Sequence, residues 1–295
     1  MASHRYDQQR IRTNGIELDA ILAGPADGPL CILLHGFPEF WYGWRAQIQP
    51  LADAGYRVLV PDQRGYNRSD KPRGIGAYRV SELARDVVGL IDAQGRERAL
   101  LVGHDWGAMV CWWTALQHAE RVDRMAVLNV PHPWVMAKTV ATSLRQLQKS
   151  WYIGFFQIPE LPERWLMQDD CAGLARSLRG SSRQGTFSDD DLQRYREAWT
   201  QPGAITSMIH WYRAAVRRPP RLSPDLRVQV PTLILWGAQD RFLSRDMVLP
   251  SLDLCDHGEL RWFESATHWL QHEQPGEVSA RLVEFFAGPD PRRAA

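Results

Sequence analysis

Short apolar runs bounded by turn residues recur along this chain and set its architecture. Leu30–Leu34, Arg57–Val60, Ala99–Val102, Met125–Val130 and Thr232–Trp236 each have the length of a buried strand. Between the early ones the period changes to that of a helix. In Ser81–Gln94, Leu83, Val87, Leu90 and Ile91 fall on one face, with Ser81 as N-cap and Gly95 as stop. Strands alternating with helices predict right-handed crossovers and a mostly parallel sheet covered on both faces. Ahead of them, Arg10–Ala23 carries Asn14-Gly15 between two strand-like segments, a hairpin signal that puts antiparallel strands on one edge.

The alternation breaks from about Pro131 to Pro224, which reads as helices and loops, and resumes at Val230-Pro231-Thr232. An insertion of that size between two sheet strands predicts a helical lid over the carboxyl ends of the strands, where open α/β sheets hold ligands. The expected division is a core of residues 1–130 and 225–295 with a helical cap of 131–224. The tail from Pro289 to Ala295 is expected to fray.

Composition narrows the function classes. The formal net charge of +1 gives the chain as a whole no field to steer it toward nucleic acid or anionic membranes. Met1–Gly24 has no apolar core of signal-peptide length, and no later run approaches the roughly 20 apolar residues of a span. Cys31, Cys111, Cys171 and Cys255 are far apart and three lie in apolar segments, so free buried thiols in a cytoplasmic protein are expected. Asn67-Arg68-Ser69 fits a glycosylation acceptor that would then be inert. The 13 tryptophans suggest an aromatic-lined cavity as well as a core.

The most informative segment is Gly103-His104-Asp105-Trp106-Gly107, between an apolar run and a helix-competent stretch from near Ala108. It has the outline of a Gly-x-Ser-x-Gly nucleophile elbow with aspartate in the serine position. A serine must lose a proton before attacking a carbonyl. A carboxylate is already ionised at neutral pH and displaces a leaving group from saturated carbon. The resulting ester must be cleaved by water, which needs a base and an orienting acid. In chain order those are His268, just after the strand-like Leu260–Phe263, and Asp240, just after Trp236-Gly237. An Asp after a strand is also a common helix cap, and Asn129 occupies a second position from which an acid would reach the histidine. It carries no charge, which favours Asp240. His268 and His272 have an i, i+4 spacing seen in zinc sites, but Trp269 stands where the metalloprotease pattern needs Glu, so no metal is expected. His104 is expected to be structural. The oxyanion donors expected are the N–H groups of Trp106 and of Phe37, within His35-Gly36-Phe37-Pro38-Glu39.

His35–Glu39 with Phe40-Trp41-Tyr42-Gly43-Trp44-Arg45, Asp62-Gln63-Arg64-Gly65-Tyr66-Asn67-Arg68-Ser69-Asp70-Lys71-Pro72, and Gly103–Gly107 together resemble the epoxide hydrolases of the α/β-hydrolase fold. The resemblance runs from about Ile11 to Phe286. It implies a soluble, single-domain enzyme with an Asp nucleophile that adds water to a hydrophobic epoxide, giving a vicinal diol without metal or organic cofactor. It also implies two lid tyrosines that protonate the departing oxygen. Tyr152-Ile153-Gly154-Phe155-Phe156-Gln157-Ile158-Pro159 resembles the first tyrosine segment and His210-Trp211-Tyr212-Arg213 the second, which assigns the role to Tyr152 and Tyr212. Tyr195, in the charged run Asp189–Arg196, is read as a partly exposed helix residue. One departure is Glu160, where the family carries glycine after Gln-x-Pro. No nucleic-acid or membrane partner is expected, and a homodimer is left open.

Three other readings compete. Haloalkane dehalogenase also uses Asp followed by Trp, but halide wants N–H donors rather than phenols, and Phe37 stands where many dehalogenases carry asparagine. Fluoroacetate dehalogenase would need arginines just after the nucleophile, where Trp106 and Met109 stand. A non-enzymatic receptor would show gaps in the catalytic set, and none is found.

Overall fold

The protein's computed structural model describes residues 6–220 and 225–293. Eight strands form one sheet: β1 (Asp7–Thr13), β2 (Ile16–Ala23), β3 (Leu30–Leu34), β4 (Arg57–Pro61), β5 (Ala99–His104), β6 (Val122–Leu128), β7 (Thr232–Gly237) and β8 (Gly258–Phe263). Their spatial order is β1-β2-β4-β3-β5-β6-β7-β8. The Asn14-Gly15 hairpin puts β1 against β2, and β2 meets β4, both antiparallel. All pairings from β4 to β8 are parallel. Both turn residues adopt positive φ, as a two-residue hairpin loop demands.

Burial on both faces explains why the central strands β3, β5 and β7 are apolar nearly throughout. Ile32, Leu34 and Leu101 enter one buried cluster, while Cys31, Leu33, Leu100 and Val102 enter the other. Helices α1 (Arg45–Asp53), α2 (Val80–Ala93) and α3 (Trp106–Gln117) cover the sheet among its early strands. Helix α2 buries the expected Leu83, Val87, Leu90 and Ile91. Its start differs from expectation: Arg79 is the N-cap, without a side-chain cap, and Ser81 lies inside the first turn. Gly95 ends it with φ +64°.

Among the described residues, seven helices separate β6 from β7: α4 (Pro133–Thr142), α5 (Leu144–Lys149), α6 (Trp151–Phe155), α7 (Leu161–Met167), α8 (Ala172–Ser181), α9 (Asp189–Trp199) and α10 (Ala204–Arg217). Glu160, in the family's glycine position, takes φ +60° at the N-cap of α7, so the turn that glycine would make freely is made here with a side chain in place. The expected boundary at 224 falls on residues 221–224, outside the described ones. Helices α11 (Val248–Leu252), α12 (Leu270–Glu273) and α13 (Pro275–Ala287) complete the fold. The tail is better held than expected as far as Arg292, whose guanidinium donates to Asp123 O at 2.7 Å. Ala294 and Ala295 lie outside the described residues. All four cysteines are free and buried. Asn67 of the glycosylation sequon is buried and donates to Asp62.

Candidate active site

Strand β5 delivers Asp105 into a turn with φ +50° and ψ −123°, and α3 begins at the next residue. The turn is so tight that two neighbouring positions exclude any side chain. A Cβ on Gly107 would lie 2.0 Å from Leu34 O, and one on Gly36 would lie 2.2 Å from Asp105 Cβ. The β3 loop therefore approaches the carboxylate closely, and Phe37 N–H donates to Asp105 Oδ1 at 2.7 Å. His35 fixes that loop. Burial lowers its pKa to about 4, so it stays neutral, its Nε2 accepting from Gln63 N at 3.0 Å. The other expected donor, Trp106 N–H, belongs to the first residue of α3, directly after Asp105.

The loops after β7 and β8 bring the remaining floor residues to the same edge. His268 Nε2 lies 3.6 Å from Asp105 Oδ2, and its Nδ1 lies 2.7 Å from Asp240 Oδ2. Asp240 is saturated: Asn129 Nδ2 also donates to Oδ2 at 2.6 Å, while Phe242 and Leu243 N–H groups donate to Oδ1 at 2.6 and 2.9 Å. Asn129 in turn accepts Gly237 N–H at 2.7 Å. It therefore supports the acid that the sequence weighed it against. Burial opposes charge on both groups, yet the two carboxylates push His268 up to about 10, and His268 with the surrounding donors holds Asp240 below the usual carboxylate range.

His104 points away from Asp105, as expected, into a buried cluster the sequence reading missed. Its Nδ1 lies 3.0 Å from Glu39 Oε2 and its Nε2 2.8 Å from His268 O. Glu39 also meets Gln271 Nε2, His272 Nε2 and Tyr195 Oη. Tyr195 is thus fully buried rather than partly exposed, because its hydroxyl supplies a donor that a buried carboxylate needs. The available signal was an acid within the otherwise apolar His35–Phe40 turn. His272 turns to Glu39 and His268 to Asp240, and no group of three or more potential metal ligands occurs among the described residues.

Above the floor stand Tyr152 on α6 and Tyr212 on α10, their rings 5.8 Å apart and nearly perpendicular. Burial and the nearby Asp105 charge raise both phenol pKa values, so both stay protonated. Trp106 packs edge-on against Tyr212 at 5.1 Å. Among the described residues neither phenol O–H donates to another protein group. Arg213 ties the two tyrosine segments together. It donates to Phe156 O at 2.9 Å and Ile158 O at 2.7 Å and pairs with buried Glu163.

Two cavities, of about 380 and 240 Å³, meet at Asp105, Tyr152, Tyr212 and Phe242. The larger runs past Met109, Trp113 and Met136; the smaller runs past Trp165, Leu178 and His268. Their walls are mainly apolar, the larger more so than the smaller, and the expected aromatic lining is present. The arrangement offers a carboxyl group at the floor, two phenolic donors opposite, and a paired imidazole beside them.

The α/β-hydrolase-fold family model matches residues 29–275. The chain is 45% identical to the AB hydrolase superfamily protein YfhM of Bacillus subtilis, over 94% of this chain and 97% of that one. It is 36% identical to epoxide hydrolase A of Mycobacterium tuberculosis, over 95% and 97% respectively. Among solved structures, an epoxide hydrolase from Bacillus megaterium with a bound inhibitor superposes with a TM-score of 0.87 at 30% identity, covering 95% of this chain and all of that one. The chain belongs to the epoxide hydrolases of the α/β-hydrolase fold.

Proposed function

We propose that the protein adds water to an apolar organic epoxide through a covalent hydroxyalkyl ester on Asp105. The observation that carries this reading is the meeting of both cavities between one carboxylate and two protonated phenols. In the first step an Asp105 oxygen forms a bond to one epoxide carbon as that carbon's bond to the ring oxygen breaks. Tyr152 and Tyr212 hydrogen-bond the leaving oxygen, and one of them gives it a proton. In the second step His268, oriented by Asp240, takes a proton from water, and the hydroxide attacks the ester carbonyl. The N–H groups of Phe37 and Trp106 hold the resulting oxyanion. Collapse releases the diol and restores the carboxylate, and the proton on His268 returns through solvent to the tyrosinate.

The imidazole's high pKa fits this order. Esterification removes the Asp105 charge, one of the influences that raise it, so His268 gives up its proton more readily when a neutral base is needed. The division into a core of residues 1–130 and 225–295 and a cap of 131–224 accompanies the proposal, with acid–base chemistry in the core and phenols from the cap.

The two phenols argue against halide release. A departing halide needs N–H donors, whereas here Tyr152 and Tyr212 share both cavities with Asp105 and offer the proton donors that a departing alkoxide needs. Diol production from styrene oxide alongside bromide release from a bromoalkane tests the reaction class; bromide without diol would overturn it. Replacing His268→Gln is expected to let the ester accumulate as a protein mass increased by that of the epoxide. A good epoxide leaving no adduct would contradict the assigned roles.

A further inference from the structure

The insertion carries an apolar surface that neither the reaction nor the core explains. Among the described residues, every exposed large apolar side chain except Leu249 falls between Trp134 and Val216. Helix α5 is inside out. Its polar Gln146 is buried, donating to Phe242 O at 2.8 Å and accepting Ser244 N–H at 3.0 Å. Leu144 and Leu147 project outward, 70% and 53% exposed. Ser150 N–H continues the helical path by bonding Gln146 O. Trp151, 65% exposed, therefore falls at i+7 from Leu144, on the same face. The patch continues by ring contact from Trp151 to Phe155 and on to Trp165. Those three aromatics line the smaller cavity, so the patch borders the route to the site.

Charge identifies what covers this face. Between Asp123 and Glu160 the sequence has no Asp or Glu; of its Lys and Arg residues, Arg124 is buried and donates to Phe285 O and Gly288 O, and Lys149 donates to Asp240 O, which leaves Lys138 and Arg145 for the surface. Lys138 and Arg145 are exposed, and among the described residues neither forms an ion pair. Exposed leucine and tryptophan in a stretch of sequence that carries Lys and Arg but no acid is the composition of a segment lying at the interface of an anionic bilayer. A second copy seated face to face would bring these cations against their own kind, which opposes self-association. The leucines project from a helix rather than lining a groove, which suits fluid lipid better than a folded partner. No helix of the described residues is long and apolar enough to cross a membrane, so the contact is peripheral. The chain's overall charge balance, which argued against membranes, hides this local asymmetry.

We propose that the α5–α6 face docks on a lipid surface bearing anionic headgroups and takes up lipophilic substrate there. This goes beyond the hydrolytic reading and is tested without turnover. Sedimentation with vesicles of phosphatidylcholine, alone or with about one third phosphatidylglycerol, is expected to pull down the full chain only with the anionic vesicles, more weakly as salt screens the charges. Two double variants, Leu144→Asp/Leu147→Asp and Lys138→Glu/Arg145→Glu, should each lower the partition coefficient about tenfold or more. None of the four side chains lines the two cavities, so hydrolysis of a freely soluble epoxide should be unchanged and serves as the folding control. Binding equal on both vesicle types, absence of binding, or binding insensitive to both variants would overturn the proposal. So would a dimer, seen by sedimentation velocity, that the leucine variant dissociates, because the face would then belong to a second copy.

Discussion

The floor and the roof of the site are built by different physics. On the floor, Asp240 has every acceptor position filled, His268 is held through both ring nitrogens' surroundings, and Asp105 sits in a turn that tolerates no side chain at positions 36 and 107. On the roof, Tyr152 and Tyr212 are positioned mainly by aromatic edges, which fix a ring's place and leave its hydroxyl without a protein acceptor. Directional bonds make the floor unable to adapt, and apolar contact makes the roof able to meet ligands of varied shape. The lesson is that polar saturation and polar vacancy are distributed by role: groups that must keep one geometry are fully bonded, and groups that must bond the substrate are left free.

That contrast is open to direct attack. Changing both Tyr152→Phe and Tyr212→Phe should reduce epoxide opening on the order of 10³-fold, measured as single-turnover alkylation, because no other acid meets the leaving oxygen. The same pair should barely alter the unfolding midpoint, since no protein hydrogen bond is lost. A large fall in stability would show the roof to be bonded like the floor. Arg213→Met is expected to cost about 3–5 kcal/mol in denaturant titration by stranding Glu163, and to separate the tyrosine segments, lowering kcat. Asn129→Ala should cost about 1–3 kcal/mol, leaving Gly237 N–H unpaired and Asp240 one donor short. A further test concerns pH. His268 has a folded pKa near 10 against an ordinary 6.5, so its contribution to stability is complete below about 6.5 and lost as pH rises through 10. The stability margin of the native chain over His268→Gln should therefore shrink across that interval. A margin that grows would reverse the inferred charge on His268.

The central strands were legible because they are mostly apolar runs, and Asp105, Asp240 and His268 because each follows a strand-like segment. The hairpin was legible from Asn14-Gly15 alone. What escaped the sequence were contacts set by distance along the chain. Tyr195 sits in a run so charged that only the approach of Glu39, 156 residues away, accounts for its burial. Asn129 read as a rival to Asp240 because a list of polar residues cannot show that one donates to the other. Helix α5 has an amphipathic period, but the sequence does not say which face turns inward.

The cramped turn around Asp105 has a practical corollary for anyone altering this enzyme's selectivity. Diversifying positions 36 or 107 would yield mostly collapsed proteins, because any added carbon collides with main chain or the Asp105 side chain. Libraries directed at Met109, Met136, Leu178 and Trp165 reshape the space on either side of the reacting carbon while leaving the chemistry's foundation intact.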